Sequence, residues 1–326
     1  MNVINRTKIT IKGSDISLGL IFRDGTDAAI SQKRTIIALG TFDGVHIAHR
    51  ELLRSAQELK ARTDADLVGV WCFAESPAAI IHSVKPTSLT SLDERLSLLI
   101  ENGADFVVIG RFEELRDTSA TDFVNEILIS KLGCVGTACG YDHRFGAGGK
   151  GNGALLENIF GKENAVILPE IKLGGETVSS SNIRRHVIQG EIESANAMLS
   201  RPLSFTAKVT EGKKLGRRIG FPTANQIIPS SFTPLKHGVY ATKCSFDNGE
   251  SYIGVSNVGI RPSIQTGDDH TINCETYIVD FSGEIYGREM KVEFFSFLRE
   301  EKKFSSLEEL SSAISHDRES AIRFFK

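Results

Sequence analysis

The order of apolar runs predicts an α/β domain with a parallel sheet, followed by an antiparallel β-barrel domain that ends in a helix. Three observations carry this expectation. From Thr35 to about Leu168 short β-rich runs alternate with helical ones, the pattern of βαβ units. After Arg201 strand-like runs follow one another directly, joined by turn signals. The 326 residues also exceed the usual span of one hydrophobic core. Two domains are therefore expected, 1–186 and 187–326.

In chain order, the start "MNVINRTKITIKG" is polar and lacks the apolar core of a signal peptide. "TIIAL", "LVGVWCF", "DFVVIG", "CVGTACG" and "AVILPEI" then read as the strands of the first domain. Between them Leu52, Leu53, Ala56 and Leu59 recur at helical spacing, and "SLDE" from Ser91 is a capping box ahead of Leu92, Leu96 and Leu99. "SSSNIRRHVIQGEIESANAMLSR" reads as two short helices broken at Gly190. In the second domain "LSFTAKVTEG", "GVYATKCSF", "SYIGVSNVG", "CETYIVDF" and "EMKVEFFSFL" are strands. Asn248-Gly249 and Ser282-Gly283 mark turns between them, and a final helix starts near "SSLEEL".

Composition excludes several classes. Hydrophobic residues at 40% and charged residues at 24% support packed cores and leave no segment polar enough to stay disordered. A net charge of -3 argues against a nucleic-acid binder and favours small-molecule ligands. No stretch reaches the ~18 to 20 apolar residues of a membrane span. The five cysteines include no CxxC pair and read as buried reduced thiols, so a cytoplasmic protein is expected. Composition is silent on oligomeric state.

"GTFDGVHIAHREL" (residues 40–52) places His46 and His49 where a strand turns into a helix. A zinc site would need a third ligand at the right spacing, and none is nearby. Two partly exposed first-turn histidines are the plain alternative. Gly40 and Gly44 allow a tight turn, and a helix start offers N–H groups to a phosphate, which an imidazole pair can supplement as charge builds on phosphorus. Asp43 either caps that turn or approaches a metal. In "SSSNIRR" the serines read as an N-cap with spare hydroxyls, and Arg184 one turn on favours phosphate. "GYDHRFGAGGKG" is either a nucleotide loop or a mobile surface loop. "EGKKLGRRIGFPTAN" interleaves Gly212, Gly216 and Gly220 with Lys213, Lys214, Arg217 and Arg218, either a solvated hairpin or a cationic flap for a triphosphate, without the Walker A ending. Thr223 and Asn225 offer oxygen ligands suited to Mg²⁺ shared with ATP.

Together these segments, with "LTSLDERLSLLIENGAD", "NVGIRPS" and "ETYIVDFSGEIYG", resemble the bacterial bifunctional riboflavin kinase/FAD synthetases in the family's order and spacing along nearly the whole chain. The resemblance implies a Rossmann-like nucleotidyltransferase domain that transfers AMP from ATP to FMN, and a barrel domain that phosphorylates riboflavin. It assigns nucleotide binding to Gly40, Phe42, Asp43, Gly44, Asp142, Ser180, Ser181 and Arg184, with His46 and His49 at the ATP phosphates. In the second domain it assigns Gly212, Lys213, Gly216, Arg217 and Gly220 to the flap, Thr223 and Asn225 to Mg²⁺, Glu275 to the catalytic base and Arg299 to the flavin pocket. The implied partners are riboflavin, FMN and ATP.

Two positions depart from the family pattern. Ala48 stands where the HxGH signature has its glycine, and Ser76 stands where a histidine is usual. A kinase with a weakened or repurposed first domain is therefore one alternative. A non-enzymatic flavin or nucleotide sensor is another, against which Glu275, Thr223 and Asn225 speak together.

Overall fold

Parallel strands covered on both faces read as unbroken apolar runs, and this chain shows why. The computed structural model describes residues 5–11, 14–23, 30–81, 87–211, 220–260 and 272–326. It divides into two compact units, one of residues 1–86 and 92–179, the other of residues 87–91 and 180–326.

The first unit is a seven-stranded sheet in the order β1-β2-β5-β4-β3-β6-β7. Its strands are β1 (Asn5–Ile11), β2 (Ser14–Phe22), β3 (Thr35–Leu39), β4 (Leu67–Phe73), β5 (Phe106–Gly110), β6 (Cys134–Gly140) and β7 (Ala165–Leu168). The five strands from β3 onward are parallel and match the runs read from the sequence. The last stops at Leu168, before Pro169, which has no N–H for the ladder. β1 and β2 were not anticipated: they pair antiparallel with each other, and β2 pairs antiparallel with β5, so the sheet is mixed.

The strand period of two sorts the core onto two faces. Ile36, Ala38, Val68, Val70 and Cys72 pack with Leu53, Ala56 and Leu59 of α1 (Ile47–Thr63) and with Leu96 and Leu99 of α3 (Leu92–Glu101), α2 being the short Pro77–Ile81. Ile37, Leu39, Trp71, Phe106 and Val108 face the other way. There they meet Phe123, Val124, Ile127 and Leu128 of a π-helix (Phe123–Lys131), together with Leu156 of a later helix (Gly153–Phe160). Gly69 is required by packing, since a Cβ there would lie 2.2 Å from Phe106 Cζ.

The second unit contains a six-stranded antiparallel sheet in the order β10-β15-β12-β13-β14-β11, numbered after the small β8 (Lys172–Leu173) and β9 (Glu176–Thr177) ribbon. Its strands are β10 (Leu203–Lys208), β11 (Thr223–Ile227), β12 (Gly238–Phe246), β13 (Ser251–Ile260), β14 (Ile272–Ile278) and β15 (Glu289–Arg299). The sheet curls until its edges meet, where the Thr210 N–H donates to the Asn225 carbonyl at 2.7 Å. Inside, the Gln226 side chain donates to the carbonyls of Ala207 on β10 and Met290 on β15, which closes the barrel across its seam. The Asn248-Gly249 turn joins β12 to β13 as read, with Gly249 at φ 83°. The Ser282-Gly283 connection is longer than a tight turn, running from 279 to 288.

Two helices, Ser180–Gln189 and Ile192–Leu199, lie on either side of Gly190 as expected and cluster with the barrel. The terminal helix, Leu307–Phe324, is capped by Ser306, whose side chain accepts from the Glu309 N–H. All five cysteines are buried and unbridged. Burial pushes the Cys134 and Cys139 thiols up to about 12, so they are inert thiols at neutral pH. No helix among the described residues is long and apolar enough to cross a membrane.

Candidate active sites

In the parallel order β5-β4-β3-β6-β7 the winding direction reverses between β3 and β6, and ligands of such sheets bind beyond the carboxyl ends of the strands at that reversal. The turn 40–46 leaves β3 there and the glycine-rich segment 141–151 leaves β6. Two segments chosen from the sequence on separate grounds thus share one end of one sheet.

The turn after β3 is more strained than its glycines imply. Gly44 has φ 79°, but so, in the same left-handed region, do Phe42 (54°) and Val45 (40°), both fully buried. Such conformations persist where packing over-determines them, and they concentrate at functional sites. Gly40 serves packing instead, because a Cβ there would lie 3.1 Å from the Phe42 ring. Asp43 is buried within the turn.

His46 occupies the N-cap position of α1 without capping it through its side chain. Its ring stacks on His49 with centroids 3.6 Å apart and planes 15° apart, and Phe42 closes the stack at 4.9 Å from His49. Burial first, then the neighbouring His46 and Arg95, hold the His49 pKa well below the ordinary histidine value, so this imidazole is neutral at pH 7. Among the described residues its buried Nδ1 has no hydrogen-bond partner. Ala48 lies between the two histidines on α1, partly exposed. Ser76 precedes α2, where its carbonyl accepts from the Ile80 N–H.

The glycine-rich segment is a closed loop. Phe145 and Gly151 exchange both backbone hydrogen bonds, at 3.1 and 2.8 Å, and the Ala147 N–H donates to the Thr118 carbonyl. Asp142 is exposed beside Gly140 at its start. Ser180, Ser181 and Arg184 lie in the first turn and a half of the Ser180–Gln189 helix, which clusters with the second unit and not with the histidines' unit.

The second site is a cleft of about 190 Å³, open in part to solvent, on the outer face of the barrel. Sheet register explains its membership, because residues directly opposite in an antiparallel pair share a face. Asn225 stands opposite Glu275, Glu275 opposite Asn257, Asn257 opposite Val239, and Val239 opposite Arg299. One row across five strands thus carries Asn225, Glu275 and Arg299. The next row pairs Thr223 with Tyr277 and Tyr277 with Val255. Leu310, Ile314 and Asp317 of the terminal helix line the same cleft, as do Phe221 and Phe304.

Glu275 is exposed into this cleft, and its Oε1 accepts from Asn273 Nδ2 at 3.0 Å. The same amide reaches Asn225 Oδ1 at 3.3 Å, while the buried Asn273 Oδ1 finds no partner among the described residues. Thr223, Asn225, Asn273 and Glu275 therefore form an all-oxygen donor group with a spare buried oxygen, which suits a hard divalent cation. Arg299 is fixed by Asp317 through three contacts of 2.7 to 3.1 Å, the aspartate being buried. Gly220, at φ 83°, leads into Phe221, which packs edge-on against Tyr277. Gly212, Lys213, Gly216 and Arg217 lie outside the described residues.

Asp317, Asn273 and Tyr277 were not singled out from sequence. A signal for Asp317 existed: Leu310, Ile314, Asp317 and Ala321 form one helical stripe in which only the aspartate is charged. Asn273 sits two residues before Glu275, on the same strand face.

Residues 28–182 match the FAD synthetase family and residues 199–325 match the riboflavin kinase family. The chain is 33% identical over 299 residues to the bifunctional riboflavin kinase/FMN adenylyltransferase of Escherichia coli, covering 90% of this chain and 94% of that one. With its Bacillus subtilis counterpart it shares 30% identity over 298 residues, 90% and 93% of the two chains. A solved chain from Streptococcus pneumoniae described as a macrolide-efflux protein superposes with TM-score 0.80 at 25% identity, covering 89% of this chain and 94% of that one.

Proposed function

The chain belongs to the bifunctional riboflavin kinase/FMN adenylyltransferase family and makes FMN from riboflavin and FAD from FMN, and from that premise we propose how its residues divide the two reactions. Residues 187–326 carry the kinase and residues 1–186 the adenylyltransferase, in the cytoplasm.

The observation that carries the kinase assignment is the row Asn225–Glu275–Arg299 beside the cleft. Riboflavin occupies the cleft, with its ring system bordered by Arg299 and its ribityl 5′-hydroxyl at Glu275. That hydroxyl is a poor nucleophile, so Glu275 takes its proton as the oxygen attacks the γ-phosphorus and ADP leaves. Thr223 and Asn225, with Asn273 beside them, hold Mg²⁺, which would neutralise charge on the triphosphate. Gly212, Lys213, Gly216, Arg217 and Gly220 belong to the flap over that triphosphate.

Adenylyl transfer needs no base, because the attacking FMN phosphate is already an anion. It bonds to the α-phosphorus of ATP as pyrophosphate departs, and positioning with charge neutralisation does the rest. His46 and His49 donate to the ATP phosphates, while Gly40, Phe42, Asp43, Gly44 and Asp142 shape the nucleotide pocket.

Purified protein given riboflavin, ATP and Mg²⁺ should form FMN and then FAD. Glu275→Gln should lower FMN formation by ~10² to 10⁴ while FAD formation from supplied FMN stays near wild type. His49→Asn should do the reverse. Equal loss of both activities in either folded variant overturns the two-site division.

A further inference from the structure

Among the described residues Arg95 is the only arginine or lysine that is buried, at 4% exposure. A buried guanidinium is costly unless it is paired or used. No carboxylate lies within ion-pair distance of it among the described residues. Its two terminal nitrogens donate instead to backbone carbonyls, Nη1 to Thr41 at 3.1 Å and Nη2 to Ala74 at 2.9 Å. Its Nε has no partner there.

Those two carbonyls belong to different loops. Thr41 opens the strained turn after β3 that carries Phe42, Val45 and His46, and Ala74 opens the segment after β4 that leads to Ser76 and α2. Arg95 itself sits on α3, packed beneath both.

We propose that Arg95 is a positioning residue for adenylyl transfer, fastening the turn that carries the histidine stack to the loop after β4. This rests on the reading of His46 and His49 as the phosphate-binding pair. The clamp supplies the over-determination that two left-handed non-glycine residues require. Its positive charge has a second effect. The elements around His49 carry titratable and charged side chains that include His46 at the N-cap, Arg50 and Glu51 on α1, Asp43 in the turn, Cys72 on β4, and Asp93, Glu94 and Arg95 on α3. Of these, His46 and Arg95 disfavour the His49 imidazolium, and burial acts in the same direction. His49 therefore meets phosphate as a neutral donor, with the site's unpaired positive charge held by Arg95 behind it.

The test follows FAD formation from FMN and ATP between pH 5.5 and 8, with FMN formation in the same samples as the folding control, and follows the His49 ring resonance by NMR titration. In the wild-type chain the His49 midpoint should lie below the ordinary histidine value of about 6.5. A wild-type midpoint at that value overturns the inference without any variant. Arg95→Gln should lower kcat for FAD formation by ~10²-fold, the scale of a small displacement of reacting groups, with a lesser change in KM. It should also move the His49 midpoint upward and bring a matching inflection into the pH–rate profile. Arg95→Lys keeps the charge with half of the clamp, so the midpoint should stay low while kcat recovers in part. An Arg95→Gln protein with normal kinase activity and unchanged His49 midpoint and pH profile overturns the proposal. His49→Asn is the control for the site itself: FAD formation at the wild-type rate in that variant overturns the phosphate-binding assignment, a result separate from any failure of Arg95.

Discussion

Asp317 shows how much one side chain decides in the cleft. It holds Arg299 on three contacts and is itself almost wholly buried, so Asp317→Ala would strand a guanidinium that is only 21% exposed. Breaking a buried pair from one side typically costs ~3 to 5 kcal/mol. The melting temperature should fall accordingly and KM for riboflavin should rise, with FAD formation from supplied FMN unaffected; an unchanged melt and KM would remove Asp317 from the cleft's support. Glu275, Thr223, Asn225 and Arg299 were legible because each sits in a motif. Asp317 was not, since its partner lies 18 residues away and a lone acid on a terminal helix reads as a solvated charge. Asn273 was missed because an asparagine on a strand carries no chemistry until register sets it beside Glu275 and Asn225.

At the scale of elements, the strands with two covered faces were the most legible, because burial on both sides forces a continuous apolar run. β11 was hidden inside the stretch read for its metal ligands, and β1–β2 inside a start that reads as polar. The glycine-rich loop after β6 was legible as a loop, but its closure by the Phe145–Gly151 pair was not, since that depends on two backbone bonds. Its His143 ring stacks on Phe145 with centroids 5.8 Å apart, and burial lowers its pKa to about 4. In the unfolded chain the value returns to about 6.5, so between those two values the unfolded state binds a proton that the native state does not. His143 therefore supports stability fully above pH 6.5 and loses that contribution as pH falls towards 4. His49 acts in the same direction. Thermal melts should show the melting temperature declining from pH 7 to pH 5, and His143→Gln should make that decline shallower. A variant with the wild-type slope would show that this loop does not stay packed around a neutral imidazole.

At the scale of the whole molecule, the two fold types were legible from the switch between alternating and consecutive strands, whereas the extent of the second unit was not. Its contacts take in the helices Ser180–Gln189 and Ile192–Leu199 and also residues 87–91, a segment too short to show a periodic pattern. The reasons are specific. Asn196 donates to the Phe294 carbonyl at 2.8 Å and accepts from the Leu203 N–H at 2.8 Å, which ties the second helix to β15 and β10. Ile192, Ala195, Met198 and Leu199 are buried beneath it. Ser88 donates from its backbone to Ser231 at 2.7 Å and accepts from Thr233 at 2.9 Å, with Leu89 fully buried alongside. A fragment of residues 180–326 should thus fold and make FMN, while one of residues 201–326 should be poorly soluble, having exposed side chains each worth ~1.5 to 3 kcal/mol when buried. The longer fragment still lacks Leu89, so it should melt below the kinase unit of the intact chain. In the intact chain Leu89→Ala should lower that unit's stability by ~2 to 5 kcal/mol. Soluble yield, circular dichroism melts and FMN formation read all three proteins. If residues 201–326 alone melt as high and phosphorylate riboflavin as fast as residues 180–326, the two helices are a connector that rests on the barrel without supporting it.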